Sequence, residues 1–270
     1  MSRSPKSKAT SATDLLERVL KELKSTSLHI ILVVQLTKVV VTGGAGFVGS
    51  HAAEHFARSY DQVTVCDNLS RAETLGRSVG DHSYNWSYLN KKYPGINLRR
   101  IDIRDFQSVR EACEGAGIII HAAGQVALTS SLRDPKTDFE INVIGTFNIL
   151  EAARLNDSAV VFCSTNKVYG ENVNSIPVKE NSMRYFFSDP TYANGIPENF
   201  PIDHARHSPY GSSKLAADIY VQEYAHTYGL KTAVFRMSCT YGERQFGIED
   251  QGWLAWFIIA TLTGKAVTIY

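Results

Sequence analysis

From residue 38 onward the apolar positions follow two rhythms: short, nearly unbroken β-branched runs, and longer stretches where apolar residues return every three or four positions. The runs at residues 38–41, 62–67, 98–105, 118–124, 159–164 and 231–236 predict six strands. Residues 118–124 are apolar almost throughout, as a strand covered on both faces requires. Helical spacing predicts helices from Ser50, over 106–114, over 139–154, from Ser208 to about Tyr228, and over 252–262. In the third of these, Ile141, Ile144, Leu150 and Ala153 are expected to face inward. Strand and helix alternate, so the fold class predicted is α/β, a doubly wound parallel sheet with its ligand crevice at the carboxyl edge.

Three stretches keep neither rhythm. Residues 71–97 are polar and aromatic and read as a loop holding one helix. Residues 171–207 form a polar, proline-bearing excursion too long for a plain connection, which we expect to build part of a substrate wall. Residues 267–270 look like the start of another strand.

The first strand carries the first sign of chemistry. Residues 38–50, Lys-Val-Val-Val-Thr-Gly-Gly-Ala-Gly-Phe-Val-Gly-Ser, run from a strand through a glycine-rich turn into a helix. Gly43 allows the tight turn, Gly46 lets a pyrophosphate approach the backbone, and Gly49 lets the helix pack close to the sheet. A diphosphate then meets free N–H groups at the helix start, where the helix dipole favours negative charge; Phe47 and Val48 belong to that start. An acidic residue for the adenosine ribose is expected at the end of the second strand, about 20 residues on. Asp67 stands there, followed by Asn68. Its charge repels a 2′-phosphate, which favours NAD over NADP, although Arg71 is close enough to blur the preference. Further cofactor-binding positions are expected at Asp102, placed for the adenine edge, and Ile103. The small residues Ala122, Ala123 and Gly124 after the fourth strand and Asn142 complete the set. His121 reads as a hydrogen-bonded core histidine rather than a base.

Composition narrows the picture by exclusion. With 44% hydrophobic and 20% charged residues in 270, the chain has the make-up of a soluble globular protein, and a formal net charge of +1 gives no pull toward nucleic acid or an anionic membrane. The four cysteines, Cys66, Cys113, Cys163 and Cys239, form no Cys-x-x-Cys pair, so we expect free thiols, a reducing, cytoplasmic compartment and no structural metal. Residues 1–37 read as an extension. It comprises a basic, serine-rich, disordered tail, a short amphipathic helix over 14–24 and an apolar run at 29–34 too short to span a bilayer.

The fifth strand ends in Ser164-Thr165, and hydroxyls at a strand's carboxyl end line the crevice of such sheets. Tyr210 and Lys214 lie four apart at the start of the next helix, on one face. Oxidising a sugar hydroxyl requires a base, and tyrosine, with a pKa of about 10, is a poor one near neutrality unless cations favour its phenolate. Lys214 and a positively charged nicotinamide are suited to that task.

With Gly43, Gly46, Gly49, Asp67, Thr165, Tyr210 and Lys214 in this order, residues 38–270 resemble the extended short-chain dehydrogenase/reductases that modify nucleotide sugars. Three strings are similar to the CDP-paratose (CDP-tyvelose) 2-epimerase subgroup: Ser164-Thr-Asn-Lys-Val-Tyr-Gly170, His207-Ser-Pro-Tyr-Gly-Ser-Ser-Lys214, and residues 236–253 from Arg-Met-Ser-Cys-Thr-Tyr-Gly-Glu-Arg to Gln-Gly-Trp. Ala123-Gly-Gln-Val-Ala127 fits the subgroup too. The resemblance implies a Rossmann-type NAD-binding domain over 38–235, the start of a substrate-binding region over 236–270 that stops short of the family's full lobe, and a homo-oligomer. It also implies that Lys214 bonds the nicotinamide ribose, that Thr165, Tyr210 and Lys214 are catalytic, and that the substrate is a nucleotide sugar, with a CDP-sugar favoured. Because more lobe is expected, the helix over 252–262 should expose apolar area. The alternatives are 4-epimerisation or 4,6-dehydration of a UDP-, GDP- or dTDP-sugar, and an NAD-binding protein without activity.

Overall fold

The computed structural model describes residues 38–60, 62–71, 84–249 and 251–269. The expected tail, the amphipathic helix over 14–24 and the apolar run at 29–34 lie outside the described residues, as does most of the loop after Arg71. Six strands form one parallel sheet: β1 (Val39–Thr42), β2 (Val63–Asp67), β3 (Asn97–Arg100), β4 (Ile118–His121), β5 (Ala159–Thr165) and, last in sequence, a strand at Thr232–Met237. Two short strands, β6 (Val178–Glu180) and β7 (Tyr185–Phe187), precede that last strand in the chain and pair with each other as an antiparallel ribbon, so it is β8. The main sheet runs β3-β2-β1-β4-β5-β8, a Rossmann-type order in which the direction of winding reverses beside β1.

The two-residue period of the strands divides the core. Val40, Ile119, Val160 and Phe162 point to one face, where they meet α3 (Phe106–Cys113), α6 (Gly145–Asn156) and α7 (Ser208–Tyr228). Val39, Val41, Val65, Ile118, Ile120 and Val161 point to the other, against Ala53 and Phe56 of α1 (Phe47–Ala57) and Leu89 of α2 (Tyr84–Lys92). Every residue of β1 and β4 is buried, which is why their sequences show no polar alternation. Each fully buried Val, Ile or Phe contributes about 1.5–3 kcal/mol relative to exposure.

Elsewhere the pattern misleads, for local reasons. The third predicted helix is preceded by α4 (Leu128–Arg133) and starts earlier, as α5 (Pro135–Phe139), with Asp134 capping it and Pro135 in its first turn. It then passes through one π-helical turn, Glu140–Ile144, before α6. That wider turn shifts the facing of residues: Leu150 and Ala153 are buried as expected, whereas Ile144 is 41% exposed. The excursion over 171–207 is built on two short 3₁₀ stretches within Asn166–Ser175 that meet at a kink at Gly170 (φ +64°), the β6–β7 ribbon and a small core of Val168, Tyr169 and Phe200. Residues 265–269 form no strand. The last helix, α8 (Trp253–Leu262), buries Ala260 and leaves Trp253, Ile258 and Leu262 exposed.

A single carboxylate ties α1 to its neighbours. Glu54 is buried, and its Oε1 accepts from Arg58 at 2.7 Å, Tyr93 at 2.8 Å, Tyr88 at 3.1 Å and Lys92 at 3.1 Å, while Oε2 lies 2.8 Å from Arg244. Burial opposes its charge, but the hydrogen bonds from Tyr93, Lys92 and Tyr88 and the charge of Arg244 outweigh burial and hold the pKa at about 2. A depressed carboxylate pKa gives stability that is complete above the unfolded value of about 4.3 and is lost as pH falls through the folded one. Glu54→Gln should therefore flatten the dependence of the unfolding midpoint on pH between about 4.5 and 2. Equal slopes for the two proteins in acid melts would show that the cluster carries no linked stability.

Candidate active site

The β1–α1 junction is shaped by contact. Gly43 has φ +69°, and a Cβ there would lie 2.5 Å from the Ala123 nitrogen, so neither the turn nor the approach to β4 tolerates a side chain. A Cβ on Gly49 would overlap the Gly43 carbonyl, and one on Gly44, which the spacing argument passed over, would overlap Val65. A Cβ on Gly46 would meet, among the described residues, only the Gly43 oxygen at 3.0 Å, and Gly46 itself lines the cleft. No side chain caps the start of α1 and no acidic residue occupies its first turn, so its free N–H groups and dipole face the cleft.

That cleft, of about 760 Å³, runs along the carboxyl edge of the sheet. Most of the expected positions line it: Gly43, Gly46, Phe47, Val48, Gly49, Asp67, Asn68, Ile103, Ala122, Ala123, Gly124, Thr165, Tyr210 and Lys214. The Asp67 carboxylate accepts from Ala45 N at 2.9 Å and from Leu69 N at 2.8 Å, which fixes it beside the glycine turn; burial raises its pKa against those two bonds.

Two expected positions stand elsewhere. The Asp102 carboxylate does not line the cleft. It accepts from Arg104 at 2.7 and 3.0 Å and from Asn68 Nδ2 at 3.0 Å, and the Arg104 bonds in particular hold its pKa at about 2. It therefore braces Asn68, and its neighbours Ile101 and Ile103 supply the cleft wall. Asn142, which the sequence alone would let lie on the surface, is 1% exposed. The π-helical turn carries it behind the cleft, where Oδ1 accepts from Gln125 N at 3.0 Å and Nδ2 donates to Gln125 O and Ser213 Oγ, both at 3.0 Å. No residue of 171–207 lines the cleft. The excursion packs on its own small core, while that side of the cleft is built instead by residues 237–241 and 244–247, whose mixed sequence gives no period.

Tyr210 and Lys214 occupy the first turns of α7, and both are buried. Ser208-Pro209 starts the helix, and the Tyr210 N–H donates to Ser131 Oγ at 3.2 Å. Lys214 Nζ donates to Cys163 O at 2.7 Å and stands 4.1 Å from the centroid of the Phe162 ring; burial pulls its pKa down to about 8. Burial likewise pushes Tyr210 up, the Thr165 hydroxyl pulls the other way, and the charge of Asp138 adds to the rise. Lys214 and a positively charged nicotinamide are expected to favour the phenolate together; in the polypeptide without the nicotinamide, burial prevails. Beneath the site, Asp218 is fully buried and accepts from Ser164 Oγ at 2.6 Å and from two Arg236 nitrogens at 3.0 and 3.1 Å, joining β5, α7 and β8.

His121 is the core histidine expected. Its ring nitrogens lie 2.7 Å from Thr42 Oγ1 and 3.0 Å from Thr146 Oγ1, and burial lowers its pKa to about 3. All four cysteines are free thiols, and burial raises Cys66 and Cys113 to about 12. Among the described residues there is no cluster of His, Cys, Asp and Glu that could hold a metal ion, and no helix is long and apolar enough to cross a membrane.

Residues 39–270 match the family described as NAD dependent epimerase/dehydratase. The chain belongs to that family. Among its epimerase/dehydratase relatives are the CDP-paratose 2-epimerase of Salmonella typhi, 41% identical over 227 residues covering 82% of this chain and 62% of the relative, and a putative UDP-glucose 4-epimerase of Methanocaldococcus jannaschii, 34% identical with 86% and 65% covered. The structure of the Thermus thermophilus UDP-glucose 4-epimerase in complex with NAD is also similar, with TM-score 0.65, 33% identity, and 86% of this chain and 65% of that one covered. The chain thus spans slightly under two thirds of the length of these epimerase/dehydratase relatives.

The cradle suits the family's cofactor: a side-chain-free approach at Gly46, an uncapped helix start for a diphosphate, and a fixed carboxylate at Asp67 where an adenosine ribose would lie. Asp67→Ala is expected to weaken NAD binding more than NADP binding, because it removes both the ribose acceptor and the charge opposing a 2′-phosphate. Calorimetric titration with the two cofactors checks this, and an unchanged ratio of affinities would overturn the assignment.

Proposed function

We propose that the chain carries out NAD-dependent epimerisation of a nucleotide sugar, at C2 of a CDP-3,6-dideoxyhexose of the CDP-paratose/CDP-tyvelose type. The observation that carries this reading is the meeting of Thr165, Tyr210 and Lys214 in the wall of the cleft, with Asn166 and Lys167 following Thr165 in the same wall. The 41% identity to a CDP-paratose 2-epimerase supports the choice of substrate.

When bound, NAD supplies the hydride acceptor and donor of the reaction. Tyr210 takes the proton of the sugar hydroxyl as it is oxidised and returns it on reduction. Thr165 hydrogen-bonds the same oxygen through a hydroxyl on a stiff, β-branched side chain. Lys214, which donates to Cys163 O, would fix the ribose of the cofactor and, together with the positive nicotinamide, favour the phenolate. Turning the keto sugar over between the two half-reactions inverts the carbon. Dehydration across C5 and C6 needs a further general acid and base next to Thr165. Asn166 and Lys167 offer no carboxyl group there, which favours epimerisation over loss of water. A 4-epimerase would use the same three residues, and the identity of the product separates the two. A homo-oligomer also suits the chain, since α6 and α7 leave Phe147, Ile219 and Tyr220 exposed.

Tyr210→Phe should retain NAD binding and lose most turnover, because the ring stays and the proton carrier goes; an unchanged kcat in a coupled NMR assay would refute the role. With CDP-sugar deuterated at C2, the label is expected to remain at C2 of the inverted product. Its appearance in water would point to proton abstraction from carbon, and a 4-keto-6-deoxy product would restore the dehydratase reading.

A further inference from the structure

Residues 241–247 follow β8 in the chain, pass the start of α1 where Gly242 lies against Phe47, and contribute Tyr241, Arg244, Gln245, Phe246 and Gly247 to the cleft. Along that path they are fastened to the far side of the glycine turn. The Glu243 carbonyl lies 2.8 Å from His51 Nε2 on α1. Arg244 reaches Glu54 at 2.8 Å and stacks its guanidinium 4.3 Å from the Tyr88 ring. Asn85 Nδ2 is shared between Ala45 O at 3.1 Å and Gly46 O and Arg244 O, both at 3.4 Å, and so joins the glycine turn itself to the crossing segment. Phe246 packs edge-on against Tyr84 at 5.3 Å, and its carbonyl accepts from Arg71 at 3.2 Å.

Two features separate this segment from the rigid wall opposite. Among the described residues, the only backbone hydrogen bond within 241–247 is the local one from Gln245 N to Gly242 O at 3.4 Å, and no backbone bond ties the segment to sheet or helix. All its fastenings go through side chains. Moreover, among the described residues Asn85 Oδ1, Gln245 Oε1 and Arg244 Nε are buried there with no protein hydrogen-bond partner. Each such group opposes what the Glu54–Arg244 pair contributes to closure. One strong charge pair against several unmet polar groups describes an element that is held closed by a small margin.

We propose that residues 241–247 are a strap across the diphosphate end of the dinucleotide cleft, that Arg244 is its positioning residue and Glu54 its anchor, and that the cofactor enters and leaves only when the strap lifts. The inference rests on NAD being the ligand of the cleft. A cofactor that ends each turnover in its starting form has no need to leave, and a strap fastened behind the glycine turn retains it without adding to the chemistry.

The test is stopped-flow fluorescence of NADH binding to the full chain, which gives association and dissociation rates separately and needs no turnover. Opening a strap speeds both directions, whereas removing a direct contact speeds dissociation alone. Arg244→Met and Glu54→Gln should each raise both rates about tenfold or more with a much smaller change in Kd, and Arg244→Lys, which keeps a charge for Glu54, should fall between. Phe246→Ala removes the contact with Tyr84 at a partly exposed position without touching the Glu54 cluster, and should raise both rates even if a Glu54 variant fails to fold. Faster dissociation with unaltered association would overturn the strap and make Arg244 an ordinary contact. Unaltered rates in Arg244→Met and Phe246→Ala would overturn it as well. Failure of the unmodified chain to bind NADH would overturn the strap together with the cofactor assignment.

Discussion

Gly49 lies so close to the Gly43 carbonyl that a side chain there would force α1 away from the turn that follows β1, and a side chain on Gly43 would strike Ala122 and Ala123 after β4. That contact brings the helix start, with its unpaired N–H groups, to the carboxyl edge of the sheet, next to Ala122 and Ala123 at the end of β4. Everything along the cleft depends on it. The Asp67 carboxylate is held by the Ala45 N–H of the same turn, and Asn85 reaches the Ala45 and Gly46 carbonyls from α2. A change in the turn would therefore propagate to both walls.

The opposite wall is positioned by buried charge. Asp218 on α7 takes a two-pronged grip from Arg236 on β8 and a bond from Ser164 on β5, so the helix bearing Tyr210 and Lys214 is fixed against the strand bearing Thr165. Removing one member of such a buried pair typically costs about 3–5 kcal/mol, because the survivor is left uncompensated. A second network, in which Gln125, Asn142 and Ser213 donate to Asp138, lies behind the same residues. Together they make the proposed proton-transfer groups part of the core, and burial accordingly moves the Tyr210 phenol up and the Lys214 ammonium down.

The two walls differ in how they are built, and this bears on exchange of the cofactor. Thr165, Tyr210 and Lys214 stand on a strand and a 21-residue helix with continuous backbone bonding. Among the described residues, no backbone–backbone hydrogen bond fastens residues 241–247 to sheet or helix. A wall with continuous backbone bonding thus faces a side-chain-fastened segment, which is the basis of the proposed separation between groups that act on substrate and groups that govern access.

The sequence by itself determined the parts whose signals are local. A fully buried strand has to be apolar at every position, a tight turn and a close helix contact admit only glycine, and two residues four apart share a helical face. So β1, β4, the glycine turn, Asp67 at the end of β2 and the Tyr210–Lys214 pair could all be read from neighbouring letters. Tertiary structure decided what depends on distant partners. Asn142 is buried only because a π-helical turn rotates it inward, Asp102 is drawn from the cleft by Arg104 and Asn68, and Arg244 meets Glu54 across 190 positions of chain. A charged residue in an aperiodic segment looks the same whether it faces water or a buried carboxylate. Only the fold, by bringing α1, α2 and the end of β8 together, determined which it is.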